Sequence, residues 1–171
     1  MEVGPTAEKK QYPIDVDGSE IVSTVLMELL NTFPGFDGKR VQFATLGDAS
    51  GIGFFPSAGA VILENRETVT GRVKQKCRYP FMVVYRAALR TEKQKLRIKE
   101  LLDCLGKWLE CQPVTVSEEV HQLEAYPDLT EGRKIKSIAR TSPAYLNAAY
   151  DNGVEDWVIS VDLNYTTDYY R

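Results

Sequence analysis

Between Arg72 and Arg86 the sequence runs R-V-K-Q-K-C-R-Y-P-F-M-V-V-Y-R, and no other stretch limits the possible folds as much. Val73, Cys77, Tyr79, Phe81, Val83 and Tyr85 occupy odd positions, while Lys74, Lys76, Arg78 and Arg86 occupy even ones, interrupted by Pro80, Met82 and Val84. Successive side chains of a strand point to opposite faces, so this pattern predicts a strand with one core face and one charged face. Such a strand needs a sheet around it and a layer over its apolar side. Pro80 has no N–H to give to a ladder, which predicts an edge position, a bulge or a bend there.

Two amphipathic helices can supply the covering layer. From Ser19 to Phe33, the residues Ile21, Val22, Val25, Leu26, Leu29, Leu30 and Phe33 fall on one helical stripe. Asp17 or Ser19 can cap its start, Glu20 suits the positive end of the dipole, and Pro34-Gly35 stops it. Thr91-x-x-Gln94 fits a capping box that opens a second helix. Its stripe is Ile98, Leu101, Leu102, Leu105, Trp108 and Leu109, and Pro113 marks its end.

The remaining strands are shorter. Val41–Leu46 alternates like a half-buried strand, and Ala60–Leu63 is a short apolar run. Gly47–Gly59 reads as a glycine-rich loop and Glu64–Thr70 as a polar connection. Val114 and Val116 start a short strand, Ser117–Tyr126 reads as a helical turn, and basic Arg133–Arg140 reads as a strand. Ser142–Tyr150 is expected to be irregular or helical, followed by a turn at Asp151-Asn152-Gly153. The closing strand carries Trp157, Ile159, Val161, Leu163 and Tyr165 on one face, with Thr167–Arg171 as a tail. The expected fold is α+β, a single mixed or mostly antiparallel sheet with two amphipathic helices packed on one face. Residues 1–13 are expected to form a flexible arm and 14–171 a single domain.

A chain of 171 residues matches one domain, and 43% hydrophobic with 26% charged residues excludes wholesale disorder. A net charge of −3 argues against gripping nucleic acid as the main task, because that affinity comes from neutralising phosphates. Met1–Pro13 has no apolar signal-peptide core, and no apolar run reaches the length of a membrane span. The three cysteines, Cys77, Cys104 and Cys111, form no C-x-x-C pair. Cys104 and Cys111 lie about 10 Å apart along a helical pattern, too far to bridge. All three are expected to be buried small hydrophobes in a reducing compartment.

Catalytic patterns fail one by one. A metal site needs clustered His, Cys or carboxylates, yet the only histidine, His121, has no cysteine near it in sequence, and a nucleophilic triad would have to recruit that same His121. Gly47-Asp48-Ala49-Ser50-Gly51-Ile52-Gly53 lacks the G-K-[ST] ending of a phosphate loop and opens no helix. Glu118-Glu119 and Asp151/Glu155/Asp156 read as solvated carboxylates. The expectation is no enzyme, no cofactor and no metal. Two features remain. The basic row Arg72, Lys74, Lys76, Arg78 is either charge protection of an edge strand or a surface for an acidic partner or a nucleic acid backbone. Tyr165, Tyr169 and Tyr170 with Arg171 form either an aromatic interface or a frayed end.

Three pieces together resemble a family of small structural proteins of tailed bacteriophages and prophages of Gram-positive bacteria, of the minor capsid or tail-terminator type. They are the helix Ile21–Phe33, the strand and helix from Val73 to Leu109, and the carboxyl-terminal stretch. The last contains Thr141-Ser-Pro-Ala-Tyr-Leu-Asn147, Gly153-x-x-Asp156-Trp157 and Ile159-Ser-Val-Asp-Leu-Asn-Tyr165. The resemblance implies a sheet flanked by helices and a subunit of a ring, commonly a hexamer, that caps the tail tube and joins it to the head. The partners it implies are further copies of the chain, the tail tube protein and head–tail connector proteins. No membrane and no sequence-specific nucleic acid binding belong to this expectation. The implied location is the host bacterial cytoplasm during assembly and then the virion tail. Gly47–Gly59 and Val114–Arg140 are longer than such proteins require. A small cytoplasmic ligand- or protein-binding module without catalysis is the alternative, and an enzyme with a dispersed site is the third class.

Overall fold

The computed structural model describes residues 19–130 and 132–171, so the expected arm and the cap at Asp17 lie outside the described residues. The elements are α1 (Ser19–Leu30), a 3-10 turn (Pro34–Phe36), β1 (Val41–Phe43), β2 (Gly51–Pro56), β3 (Val61–Glu67) and β4 (Arg72–Ala88). Then come α2 (Glu92–Leu109), β5 (Val114–Val116), β6 (Glu119–His121), β7 (Arg133–Arg140), β8 (Tyr145–Ala149) and β9 (Val154–Tyr170). The fold is α+β: a mostly antiparallel sheet of seven strands with the helices on one face, and a separate β5–β6 hairpin.

The alternating stretch forms the long central strand. β4 pairs with β9 along its whole length, from Arg72 opposite Tyr170 to Ala88 opposite Val154. Its other side is shared, with β3 pairing from Val73 to Arg78 and β2 from Phe81 to Arg86. Pro80 falls where one partner hands over to the other. Its carbonyl accepts the Ser57 N–H at 3.0 Å, so its nitrogen also faces this junction, where no ladder bond is lost. The expected edge position is therefore replaced by a gap between two partners of a central strand.

Tyr79, Phe81 and Val83 point to the same face as Leu163, Val161 and Ile159 opposite them, and both helices pack there. Ser23 of α1 shares a 2.6 Å hydrogen bond with the Tyr79 hydroxyl, so α1 lies over β4. Leu26, Leu30, Leu102, Leu105 and Leu109 are fully buried, each worth about 1.5–3 kcal/mol. Helix α1 ends at Leu30, short of Phe33, because Asn31 turns back. Its side-chain amide donates to the Met27 carbonyl at 2.9 Å and its Oδ1 accepts the Val41 N–H at 2.8 Å, tying the helix end to β1. Phe33 instead packs against Phe36 and Trp108. The Thr91–Gln94 capping box forms as expected. Gly106 lets α2 approach the sheet, since a Cβ there would meet the Arg140 stem and Ile159.

Several expectations change. The loop Gly47–Gly59 contains β2, held between β1 and β4, and β3 runs on to Glu67 through the expected polar connection. Ser117–Tyr126 is no helical turn: Ser117 and Glu118 both take positive φ, 49° and 67°, forming the two-residue loop of the β5–β6 hairpin. Ser142–Tyr150 contains β8, paired with β9 across the Asp151–Gly153 turn. The expected tail is strand: β9 continues to Tyr170, and the Arg171 N–H donates to the Gly71 carbonyl at 2.9 Å. Of the cysteines only Cys77 is buried. Cys104 and Cys111 are half-buried, all three are free thiols, and Cys111 lies past the end of α2.

Candidate assembly surfaces

The sheet has a covered face and an open one, and at one end it has two unlike borders. There the strand order is β3-β4-β9-β7, and among the described residues β3 pairs only with β4 and β7 only with β9. β3 is unprotected at its start, where Val61, Ile62 and Leu63 are 38%, 48% and 56% exposed. Its second half, Glu64 to Glu67, is charged. β7 presents exposed Lys134 and Lys136. Exposed apolar edge strands template pairing with another chain unless charge, bulges or cover blunt them.

The basic row lies on the open face of the central strand, so the reading as edge protection does not hold for β4. Its four members are not equivalent. Arg72 makes a bidentate pair with Asp168, Nε to Oδ1 at 2.9 Å and Nη2 to Oδ2 at 2.6 Å, which holds the Asp168 carboxyl below the usual carboxylate range. Lys76 reaches Glu64 on β3 at 3.1 Å, and that hydrogen bond, with Arg66 adding to it, lowers the Glu64 pKa. Lys74 is exposed, and the buried Arg78 Nε has no hydrogen-bond partner among the described residues.

The three tyrosines separate. Tyr165 is 1% exposed and belongs to the core, so it is no part of a surface. Tyr169 and Tyr170 are exposed but neighbours on a strand, so they point to opposite faces and form no common patch. What the sequence concealed is the β3 edge and the pair Lys134 and Lys136 beside the basic row. The alternation within R-K-I-K-S-I-A-R carries a signal for the latter, but only the register places those lysines next to β4's cations.

The residues weighed for chemistry do not converge. Glu155 points towards α2, its carboxylate 2.8 Å from Lys95, while adjacent Asp156 points to the open face and takes Arg86. Asp151 lies in the turn. Glu118 sits at the tip of the hairpin and Glu119 is 3.7 Å from the partly exposed His121. Among the described residues no group of three or more His, Cys, Asp or Glu side chains is placed to hold a metal ion. The Gly47 carbonyl accepts Arg86 Nη1 at 3.1 Å, which pins the glycine segment to the sheet. Beside α1 a groove of about 1190 Å3 is lined by apolar Met27, Phe33, Phe36 and Phe43 and by polar Ser23, Asn31, Lys39 and Arg40.

No helix among the described residues is long and apolar enough to cross a membrane. No protein-family model matches the chain, and no curated protein sequence matches it.

Proposed function

We propose that the chain is a structural subunit of a phage or prophage tail, a tail-terminator protein whose copies form a hexameric ring that caps the tail tube and joins it to the head. The observation that carries this reading is the pair of unlike edges at one end of the sheet, β3 and the first half of β7; further along β7 the Ile138 and Arg140 N–H groups are taken by Tyr126 and Glu110. Pairing β3 of one copy with β7 of the next is a head-to-tail contact, and head-to-tail contacts that close make rings. Val61, Ile62 and Leu63 leave water in such a contact. In this reading the protein performs no catalysis, assembles in the host cytoplasm, and ends in the virion.

Light scattering over a range of protein concentrations, followed by negative-stain imaging, tests this directly. Rings are expected for the unaltered chain, and monomers with an unchanged circular dichroism spectrum for Ile62→Lys. A chain that stays monomeric at every concentration, with Ile62→Lys indistinguishable from it, removes the edge-pairing reading. The groove beside α1 favours the second reading, a small binding module, because its lining combines apolar side chains with several polar ones.

A further inference from the structure

The open face beside these edges carries a charge pattern that ring closure does not use. Thr166 of β9 stands between Lys76 of β4 and Lys134 of β7 in the register, and Asn164 stands between Arg78 and Ser137. Lys74 follows on β4, opposite Asp168, and Lys136, at the β7 bulge, lines the same depression as Lys74, Lys76 and Thr166. Two cationic rows therefore flank a central row of Thr166 and Asn164, on a chain whose net charge is −3. Asp168 is engaged by Arg72 and Glu64 by Lys76, which leaves Lys74, Arg78, Lys134 and Lys136 in no ion pair among the described residues.

We infer that this face binds the phosphate backbone of a nucleic acid without reading its sequence. Three features favour phosphates over an acidic protein. A protein interface has an apolar, aromatic centre with charges at the rim, whereas here cations line both sides of the central strand, and the exposed apolar side chains Val61, opposite Arg78, and Tyr170, opposite Arg72, stand at the margins. The neutral residues between the rows, Thr166, Asn164 and Ser137, are hydroxyl and amide donors of the kind that position phosphates. Alternate residues of a strand are about 7 Å apart, which is two phosphate steps of one DNA strand along the helix axis.

The contact needs no ring, so it stands whether or not the edges pair. The test is fluorescence anisotropy of a labelled random-sequence duplex of about 30 base pairs, titrated at salt between about 50 and 200 mM. About four phosphate contacts predict a slope of log K against log salt of about −3.6. Lys74→Ala is expected to reduce that slope by about 0.9, and the triple variant Lys74→Glu, Lys134→Glu, Lys136→Glu to abolish binding. Lys93→Glu on the exposed side of α2 is expected to leave it unchanged. The single Lys74→Ala change, at an exposed side chain, keeps the test decisive if the triple variant fails to fold. Absence of binding at the lowest salt overturns the inference, as does a Lys74→Ala slope equal to that of the unaltered chain. So does poly-glutamate bound as tightly as the duplex, which marks the face as a site for acidic protein.

Discussion

Arg86 and Asp156 face each other across β4 and β9 and are joined by two parallel hydrogen bonds, Nε to Oδ1 at 2.7 Å and Nη2 to Oδ2 at 2.8 Å. The Tyr150 hydroxyl donates to the same carboxylate at 2.9 Å, and the guanidinium also holds the Gly47 carbonyl. Four segments of chain meet at one ion pair: the loop before β2, β4, the end of β8 and the start of β9. The Arg86 hydrogen bond is the main reason the Asp156 carboxyl lies below its ordinary pKa, against the opposing effect of burial.

A depressed carboxylate stabilises the fold above the unfolded-state pKa and loses that contribution as pH falls through the folded-state value. The unaltered chain is therefore expected to lose stability below about pH 4. Asp156→Asn lowers stability at neutral pH by about 3 kcal/mol, because the Arg86 charge is left without its partner in a mostly buried site. The variant also shows a shallower acid limb. Urea denaturation at a series of pH values reads both effects, and parallel curves for the two proteins contradict the assignment.

Tyr126 ties the irregular segment to two elements at once. Its hydroxyl donates to the Leu109 carbonyl at 2.8 Å and accepts the Ile138 N–H at 3.2 Å. Burial pushes its pKa up to about 12. A raised tyrosine favours the fold below its unfolded-state pKa near 10, and that contribution disappears as pH rises towards 12. Tyr126→Phe strands a carbonyl and an N–H and is expected to cost about 1–3 kcal/mol at neutral pH. Ultraviolet titration is expected to lose one late-titrating phenol in the variant.

Gly106→Ala tests how tightly α2 sits on the sheet. A methyl group there meets the Arg140 stem, and Arg140 has little freedom to withdraw because Glu110 holds it at 2.8 Å. The steric cost, about 1–3 kcal/mol, exceeds the gain in helix propensity of about 1 kcal/mol. Thermal unfolding is expected at a lower midpoint, whereas a rise in midpoint means that α2 has room.

The hairpin loop offers the opposite sign. Ser117 and Glu118 adopt left-handed conformations that asparagine and glycine accept more readily. Ser117→Asn with Glu118→Gly is expected to stabilise the protein by about 1 kcal/mol, seen as a higher urea midpoint. No change indicates that β5 and β6 contribute little to the cooperative unit.

The long strand β4 and the stripes of both helices were legible because each periodicity spans many residues and matches a single burial pattern. β2 was not, since Gly51-Ile-Gly-Phe-Phe-Pro56 has loop composition and becomes a strand by being held between β1 and β4. β8, Tyr145-Leu-Asn-Ala-Ala149, has weak strand character and forms as the return arm of a hairpin with β9. Thr166-Thr-Asp-Tyr-Tyr170 has strong strand character, and its reading as a tail came from its place near the chain end alone. The surfaces were less legible than the fold. Four basic residues were visible in the sequence, but Asp168 and Glu64, which occupy two of them, come from strands whose register only tertiary pairing sets.

The pairing of β4 with β9 has a consequence for the order of events when the chain is made. Its partners are separated by 70 residues at Arg86–Asp156 and by 96 at Arg72–Asp168. Contacts this distant in sequence slow folding, because loop-closure entropy is spent before the pairing rewards it. While a ribosome is still translating α2 and the segments after it, one whole side of β4, from Val73 to Tyr85, waits without its strand. That interval is when the nascent chain is most open to aggregation and to chaperone capture, and it closes only when β9 emerges.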